Sequence, residues 1–381
     1  MKILNVNMCL DPEMGGGTAE RTFQMSRFLT KRGVKCTILT TDLGLKEKQR
    51  NALEGTKIFA LPCLVKRFYI PRFKIREIES LIEENDIVHL MGHWTFINAL
   101  VYFITVKLMK PYVVCPAGAL PVYGRSKFLK RIYNLTVGKN IMRNAGGHIA
   151  VTFDEIAQFQ PYGIPDKCVS VIPNGIDEEN YLSRDDDNFR RKYNLGDHPF
   201  LLFMGRLNSI KGPDLLIHAF CRLKDRFPEY HLVFAGPDEG MLSMLKDIAY
   251  SHKLEDKVHF TGYLAGVDKS NAYHAANLLV IPSRQEAMSI VVLEAGVAGT
   301  PVLITDQCGM NEIESIHGGK VVPASVDGLQ AGLMEMLTDT KSLKSMGFNL
   351  GKFVRDRYLW HVVIDKYIQL YNQILTTADK K

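Results

Sequence analysis

Short apolar runs alternate with longer amphipathic segments along most of the chain. The runs at 2–8, 34–41 and 111–116 have the length and composition of buried strands. The segments between them read as helices, for example from Thr18 to Lys31. This alternation predicts an α/β fold with parallel sheets and crossover helices. A chain of 381 residues is long enough for two such domains, each with its own core.

The net charge of +6 is unevenly distributed. Residues 1–173 contain 24 Lys and Arg against 14 Asp and Glu, and residues 87–153 contain no acidic residue at all. Two segments, 66–76 and 125–143, combine basic with aromatic and aliphatic residues, and the pattern of the second predicts a helix. Such segments lie well on anionic lipid surfaces, and a solvated face over the core is the alternative. Nucleic acid is a weaker alternative, because no recognised binding module accompanies the charge.

The cysteines and the apolar runs of the sequence indicate the cellular compartment of the protein. The seven cysteines include no C-x-x-C pair, and most lie in apolar runs, so we expect reduced core thiols. The first apolar run follows Met1 and Lys2 directly and is too short for a signal peptide. The longest uncharged apolar run, 94–106, suits a buried helix rather than a membrane span. We therefore expect a cytoplasmic protein.

The segment 282–301 is the strongest candidate for a binding site. We expect a buried strand at 278–281 to end before it, and a helix capped by Ser289 to end at Gly299. The first amides of a helix have no partner within the helix. A helix that starts beyond the carboxyl end of a parallel strand is therefore suited to bind an anion.

Two carboxylates frame this helix start. Glu286 lies in the preceding loop, and Glu294 lies inside the helix between apolar neighbours. An unpaired buried carboxylate would cost several kcal/mol, so Glu294 needs a partner. One interpretation is a salt bridge to a neighbouring Arg or Lys. The other is a carboxylate that binds sugar hydroxyls, with diphosphate oxygens at the helix start.

Two further loops carry groups suited to phosphate. Gly15-Gly16-Gly17 closes the first strand–helix loop, where backbone without Cβ can approach a ligand closely. The G-x-G-x-x-G spacing of a nicotinamide site is absent, which disfavours that alternative, and a plain flexible loop is another. The loop at 205–212 places Arg206 and Lys211 beside a predicted helix start, where both can reach a phosphate. Exposed loop cations are the alternative there.

Histidines follow a predicted strand in the first half of the chain. The segment 86–94 contains His89, His93 and Trp94, at the carboxyl end of a strand where α/β proteins form ligand sites. Buried or loop histidines satisfied by the backbone are the alternative. A metal pair is disfavoured because no third ligand is apparent.

The motif E-x7-E-A-G-x-x-G-x-P that begins at Glu286 resembles the signature of the retaining nucleotide-sugar glycosyltransferases of family 4. The turn V-I-P-N-G-I-D at 171–177 is similar to the inter-domain hinge of that family. The resemblance implies the GT-B fold, with two Rossmann-like doubly wound domains facing across a cleft. It implies an acceptor-binding domain at 1–173, a nucleotide-sugar domain at 174–356, and a C-terminal helix at 357–381 that crosses back to the first domain.

The resemblance also implies roles for individual residues. Glu286 would orient the sugar, and the family often has His-x-His where this chain has His89, Met91 and His93, so the histidine that serves the acceptor is left open. After the first Glu the family usually has Gly-Phe-Gly, so sugar selectivity can differ here. The implied donor-binding residues are Gly16, Gly17, Arg206, Lys211, Gly236, Tyr263, Ala287, Met288, Ser289, Ile290 and Glu294.

The activity implied is retaining transfer of a sugar from a nucleoside-diphosphate sugar to an acceptor hydroxyl, in cell-surface polysaccharide or glycolipid biosynthesis. No metal or other cofactor is implied, since Arg206, Lys211 and helix dipoles can neutralise the leaving diphosphate. The expected acceptor is a glycan or a polyprenyl-diphosphate-linked glycan, met at the inner face of the membrane through 125–143, and no nucleic-acid partner is expected. A nucleotide-sugar epimerase and a non-catalytic protein that binds sugars or membrane surfaces are the alternatives.

Overall fold

A computed structural model describes residues 1–122 and 126–378. The chain forms two compact units, the first comprising residues 1–175 and the segment from Trp360 onward, the second residues 176–359. The sequence-based boundaries, after 173 and after 356, lie close to these two transitions.

Each unit is built on one parallel sheet. The strands of the first unit are β1 (Lys2–Val6), β2 (Lys35–Thr41), β3 (Lys57–Leu61), β4 (Cys63–Val65), β5 (Ile70–Pro71), β6 (Ile87–Met91), β7 (Tyr112–Cys115), β8 (Gly147–Ala150) and β9 (Val169–Val171). Those of the second unit are β10 (Phe200–Met204), β11 (His231–Ala235), β12 (Val258–Gly262), β13 (Leu278–Ile281), β14 (Val302–Thr305) and β15 (Gly319–Val322).

The strand orders are those of doubly wound sheets. The seven-stranded sheet runs β3-β2-β1-β6-β7-β8-β9, and the six-stranded sheet runs β12-β11-β10-β13-β14-β15. In both sheets the order reverses beside the first strand of the unit, β1 or β10, and ligands of α/β proteins bind at such a switch point. Both strands are buried along nearly their whole length, because helices cover both faces of a parallel sheet.

The helices follow the strands in alternation. They are α1 (Pro12–Lys31), α2 (Glu47–Asn51), α3 (Ile75–Glu84), α4 (Phe96–Lys107), α5 (Lys127–Tyr133), α6 (Lys139–Arg143), α7 (Asp186–Lys192), α8 (Pro213–Leu223), α9 (Leu242–Ser251), α10 (Gly266–Ala275), α11 (Ile290–Ala298), α12 (Glu312–Ser315), α13 (Val326–Thr338), α14 (Thr340–Arg357) and α15 (Trp360–Ala378). None of the helices in the described part of the chain is long and apolar enough to cross a membrane.

The final helix, α15, belongs to the first unit. Arg21 in α1 is fully buried, and its Nε donates to the Tyr367 hydroxyl at 2.8 Å. The same guanidinium donates to Asn174 Oδ1 at 2.7 Å and to the carbonyl oxygen of Ile172 at 2.7 Å. One buried side chain thus ties α1 and α15 to the segment that leads out of the unit.

Two local predictions need correction. The first helix begins at Pro12 rather than Thr18, and its backbone leaves helical geometry at Gly16, where φ is 59° and ψ is −146°. The helix predicted over 125–143 contains a π-helical segment, Asn134–Gly138, between α5 and α6, and Arg125 lies outside the described residues.

The other basic segment, 66–76, is irregular. It begins with a short 3₁₀ turn, Lys66–Phe68, continues into β5, which pairs with β4, and ends in the first residues of α3. Tyr69 takes the left-handed conformation at the end of the 3₁₀ turn.

Three histidines meet at the start of strands in the second unit. His231 Nδ1 and His259 Nε2 are 2.9 Å apart, in rings inclined by only 11°. One ring must donate and the other accept, so at least one imidazole is neutral. His198 stacks on His231 with ring centroids 4.5 Å apart. Burial lowers the pKa of His231 to about 4, and the nearby charges of His259, His198 and Lys257 lower it further.

We expect the protein to lose stability as the pH falls from about 6.5 towards 4. His231 binds a proton more readily in the unfolded chain, so the stabilisation present above the unfolded pKa is lost as the pH falls through the folded pKa. Thermal unfolding between about pH 7.5 and 5 should give a smaller loss of Tm in His231→Gln than in the unmodified protein. His218→Gln, at an exposed site, is the control. Identical pH dependence in all three proteins would contradict this role.

Candidate active site

The loops after β10 and β13 bring together a cation and an anion that lie far apart in sequence. Lys211 Nζ is 2.8 Å from Glu286 Oε1, and the two side chains are 23% and 8% exposed. Ser283 Oγ donates to the same carboxylate oxygen at 2.5 Å. A charge-assisted contact in this partly buried setting is stronger than a surface ion pair. Two of the predicted site residues therefore lie side by side.

Glycine allows these two loops to approach each other. Gly212, at the start of α8, has φ of 68°, and a Cβ atom there would lie 2.1 Å from the carbonyl oxygen of Pro282. No other residue fits this left-handed position against a backbone oxygen. The contact fixes the distance between the Lys211 loop and the loop that carries Glu286.

Arg206 lies in the same loop as Lys211 but has a different partner. Its Nη1 is 2.9 Å from Glu239 Oε1, and Asn208 Nδ2 donates to Glu239 Oε2 at 2.6 Å. The Arg206 side chain is 44% exposed, and exposed pairs contribute little free energy. A phosphate can therefore replace Glu239 as the partner of Arg206 at small cost.

The helix that follows Glu286 begins and ends where the sequence predicted. Helix α11 starts after Ser289 and stops at Gly299, which has φ of 78°. The predicted side-chain cap is wrong: the Ser289 hydroxyl makes no capping bond, and its oxygen has no hydrogen-bond partner within the described residues although the side chain is fully buried. Backbone contacts hold the loop instead, since the Ser289 amide donates to Cys308 O at 3.1 Å.

The residues on either side of Ser289 shape this helix start. The Ala287 carbonyl packs on Gly309, where a Cβ atom would lie 2.1 Å from that oxygen. Met288 is buried, and Ile290 opens α11 half-buried. The first amides of α11 therefore stand at the end of β13, beside Glu286, as an anion site requires.

Both oxygens of Glu294 have protein partners. Lys269 Nζ is 2.5 Å from Oε1, and the Tyr273 hydroxyl donates to Oε2. Burial and the charge of Glu294 raise the pKa of Tyr273, so the phenol keeps its proton and remains a donor. The salt-bridge interpretation of Glu294 is thus confirmed for the carboxylate, and a contact with donor hydroxyls stays a prediction.

Two other predicted donor residues lie at neighbouring strand ends of the second unit. A Cβ atom on Gly236 would lie 1.8 Å from the carbonyl oxygen of Gly205, so this glycine lets the loops after β10 and β11 pack together. Tyr263 follows β12 with half of its surface exposed, as a side chain that meets a ligand requires.

The glycine-rich segment of the first unit is partly helical. Gly16 provides the break in α1, and a Cβ atom there would meet no other atom within 4 Å. The Gly15 carbonyl accepts a bond from Thr18 Oγ1 at 3.0 Å. Gly16 and the exposed Gly17 leave backbone accessible, and their contact with a donor stays a prediction.

The catalytic expectation for His89 is wrong. Its ring is 1% exposed inside β6, with Nδ1 2.6 Å from the Tyr371 hydroxyl. Burial, with the nearby charge of Arg21, lowers the pKa of His89 to about 3, so the ring is neutral. A side chain enclosed by β6 and α15 cannot meet an acceptor, and His89 is a core residue.

His93 is also buried, at 2% exposure, behind a layer of polar and aromatic side chains. Its Nε2 is 3.0 Å from Asn134 Oδ1, which only accepts, so Nε2 carries the proton. Asn134 Nδ2 in turn donates to the Tyr162 hydroxyl at 2.9 Å. Burial lowers the pKa of His93 to about 4, against the opposing effect of Asn134. Asn134 thus occupies the hydrogen-bonding position at Nε2, and a contact between His93 and the acceptor stays a prediction.

Within the described residues no group of three or more His, Cys, Asp or Glu side chains could hold a metal ion.

Several residues that complete these clusters have no recognisable signature in the sequence. The residues whose contacts no sequence pattern indicated are Asn134, Tyr162, Glu239, Lys269, Tyr273 and Ser283. All except Ser283 lie far in sequence from the residue they contact, so no local motif could reveal those contacts. Ser283 lies only three residues before Glu286, but no motif assigns its hydroxyl to that carboxylate.

Family models match both halves of the chain. The model "Glycosyltransferase Family 4" matches residues 15–180, and the model "Glycosyl transferases group 1" matches residues 185–352. The chain belongs to glycosyltransferase family 4. The resemblance carried by the Glu286 motif is thereby confirmed.

Relatives of this family 4 glycosyltransferase are known from archaea and bacteria. An uncharacterised glycosyltransferase of Methanocaldococcus jannaschii is 32% identical over 217 residues, which is 55% of this chain and 55% of the relative. The GDP-mannose-dependent α-(1-6)-phosphatidylinositol monomannoside mannosyltransferase of Mycobacterium tuberculosis is 29% identical over 250 residues, 61% of this chain and 64% of the relative. The match therefore spans about half to two thirds of the length of these curated relatives.

Solved structures establish the fold of the glycosyltransferase over its whole length. HepE of Anabaena, crystallised with UDP and glucose, matches with a TM-score of 0.80 and 18% identity, over 98% of this chain and 100% of HepE. The predicted GT-B class is confirmed.

We expect Ser289→Ala to raise the free energy of unfolding of this glycosyltransferase by about 1 kcal/mol, because it removes a buried hydroxyl that has no partner in the described part of the chain. Denaturant unfolding measures the change. Ser283→Ala is the matched control, since Ser283 is equally buried but donates to Glu286, and its loss should destabilise the protein. A destabilisation of equal size in both variants would show that the Ser289 hydroxyl is satisfied.

Proposed function

We propose that the protein is a retaining, metal-independent glycosyltransferase that uses a nucleoside-diphosphate sugar. The observation that carries the proposal is the placement of Lys211, Glu286 and the first turn of α11 at adjoining strand ends of one sheet. Family membership and the fold agree with it. HepE was crystallised with UDP and glucose, and the mycobacterial relative is named as GDP-mannose-dependent, so both point to a nucleotide-sugar donor.

The donor diphosphate would meet three sources of positive potential. Lys211 and Arg206 supply two full charges on one loop, and the first amides of α11 supply the positive end of the helix dipole. Both side chains now pair with carboxylates, Glu286 and Glu239, so an incoming diphosphate competes for cations already held in place. The buried Ser289 hydroxyl is a further donor, and no acceptor for it lies among the described residues. No metal ion is needed to neutralise the leaving group in this arrangement.

Glu286 would act on the transferred sugar. When the diphosphate attracts Lys211, the Glu286 carboxylate is released to bind sugar hydroxyls and to stabilise positive charge at the anomeric carbon. In the transfer step the bond from the anomeric carbon to the diphosphate oxygen breaks. The acceptor oxygen attacks from the same face, and its proton passes to the departing phosphate, so the configuration is retained. Glu294, already fixed by Lys269 and Tyr273, would present its remaining lone pairs to the ribose hydroxyls.

The acceptor is proposed to be a glycan, either free or linked to polyprenyl diphosphate, in cell-surface polysaccharide or glycolipid biosynthesis. The mycobacterial relative acts on a phosphatidylinositol mannoside by its name, which supports a lipid-linked acceptor. The excess of basic residues in the first unit suits a negatively charged acceptor. A cytoplasmic protein that works at the inner face of the membrane would meet such an acceptor.

One surface favours membrane contact specifically. Along α5 and the π-helical segment, Phe128, Leu129 and Leu135 are 73%, 52% and 78% exposed. Lys127 and Arg131 lie exposed on the same stretch of helix. Exposed aromatic and aliphatic side chains beside cations bind anionic bilayers through both burial and charge. We propose that this face rests on the membrane.

We expect one class of nucleotide sugar to raise the Tm of the protein by about 5 °C or more at 100 times its dissociation constant. The shift should persist in EDTA and should be lost in Lys211→Met or Arg206→Ala, because the diphosphate loses its cations. Lys341→Met, at an exposed site in the same unit, should keep it. A differential scanning fluorimetry screen of nucleotide sugars and free nucleotides measures all four proteins.

Assays with the nucleotide sugar identified in this screen distinguish glycosyl transfer from epimerisation and from non-catalytic binding. Glu286→Gln should keep the thermal shift yet lose transfer at least about 100-fold, because it removes charge stabilisation at the reacting carbon. An epimerase would convert the donor sugar without any acceptor, which product analysis detects. No shift with any nucleotide would contradict the donor site, and unchanged biological activity in Glu286→Gln would favour a non-catalytic binding protein.

We expect the protein to sediment with vesicles that contain phosphatidylglycerol but not with pure phosphatidylcholine vesicles, and high salt should weaken the binding. Phe128→Glu and Leu135→Glu should abolish sedimentation, because a carboxylate opposes both apolar insertion and the anionic surface. Phe348→Glu, in the second unit at 72% exposure, is the matched control. Equal loss in the control variant, or equal binding to neutral vesicles, would contradict this surface.

A further inference from the structure

A π-helical turn interrupts the helix that runs from Lys127 to Arg143. At its end the Lys139 amide donates to the Asn134 carbonyl oxygen, five residues earlier. In a regular α-helix residues five apart point about 140° away from each other. The wider turn brings Asn134 and Lys139 to line one cavity. Turns of this kind occur frequently at functional sites.

The packing inside the turn depends on Gly138. A Cβ atom there would lie 2.5 Å from Asn134 Oδ1 and 3.1 Å from His93 Nε2. Glycine thus lets the turn close over the His93–Asn134 hydrogen bond. Asn134 is held on its other side by Tyr162, so its position at the cavity wall is fixed by both partners.

The cavity beside the turn has a volume of about 360 Å³, within the size range of small-molecule sites. Leu120, Pro121 and Pro161 supply apolar wall. The described residues that line the cavity all belong to the first unit.

Two polar groups at the cavity have no protein partner among the described residues. The amide oxygen of Gln158 is buried without a hydrogen bond. The half-buried side chain of Lys139 has no ion pair among the described residues, and the segment from 87 to 153 around it contains no acidic residue. The cavity therefore combines the Lys139 cation, the free Gln158 oxygen and an apolar wall. A matching ligand would have an anionic group for Lys139, a hydrogen-bond donor for Gln158 and an apolar part.

We propose that this cavity is an acceptor subsite for an amphiphilic phosphate, such as a prenyl-type chain that carries a phosphate-linked sugar. The phosphate binds Lys139, the chain packs on Leu120, Pro121 and Pro161, and a hydroxyl donates to Gln158. The assignment as an acceptor subsite rests on the proposed glycosyl transfer. His93 acts in it as a positioning residue, because it holds Asn134 at the cavity wall.

Calorimetric titration of the full chain with farnesyl phosphate, below its micellar concentration, tests the subsite. Farnesyl phosphate should bind at least about tenfold more tightly than farnesol or inorganic phosphate, since only it offers both chain and charge. Lys139→Met should lose at least about tenfold in affinity for farnesyl phosphate while farnesol is unaffected, and Lys139→Arg should restore most of the loss. Lys35→Met, which removes an exposed cation at the start of β2, should bind like the unmodified protein.

Equal affinity in Lys139→Met and the unmodified protein would overturn the subsite. An equal loss of affinity in Lys35→Met would also overturn it, because it would indicate a general electrostatic effect. Tight binding of inorganic phosphate alone would indicate a simple anion site and would also overturn the proposed subsite. The donor screen keeps the two proposals distinct. A nucleotide-sugar shift without farnesyl phosphate binding defeats the subsite alone. Lys139-dependent binding without any nucleotide-sugar shift supports the cavity as a ligand site and defeats the glycosyl-transfer proposal.

Discussion

The Lys211–Glu286 ion pair is the contact on which the proposed chemistry depends. Parallel strands β10 and β13 are neighbours, so the loops that follow them end at the same edge of the sheet. Gly212 then lets one loop touch the backbone of the other, which places the ammonium beside the carboxylate. Each charge is held by the other until a substrate with its own anion and hydroxyls enters. A fixed polar arrangement of this kind stabilises developing charge with little reorganisation.

Several polar side chains of the second unit are buried near that edge of the sheet. Glu294 is fixed by Lys269 and Tyr273, whereas the Ser289 hydroxyl is buried with no partner among the described residues. An unsatisfied hydroxyl lowers stability, and proteins retain such groups where function uses them. In the first unit, Lys139 and the amide oxygen of Gln158 line a cavity without a hydrogen-bond or ion-pair partner among the described residues.

The sequence predicted the fold class, the strands β1, β2, β7 and β13, and the bounds of α11, because apolar runs and a glycine stop are local signals. It also indicated Lys211 and Glu286 individually, since each lies beside a helix start after a strand. Their contact could not be read from the chain, because it depends on strand order. The solvent accessibility of the two histidines could not be predicted from the sequence for a related reason. His89 and His93 follow a ligand-site pattern, but the packing of α15 and the π-helical turn decides which rings solvent can reach, and neither has a local signature.

The most direct test of the donor site is a crystal structure of the protein with the nucleotide sugar that gives the largest thermal shift. We expect the diphosphate to lie within hydrogen-bond distance of Lys211 Nζ and of the first amides of α11, with Glu286 turned from Lys211 to the sugar. A diphosphate bound away from α11, with the Lys211–Glu286 pair still intact, would contradict the proposed role of this ion pair.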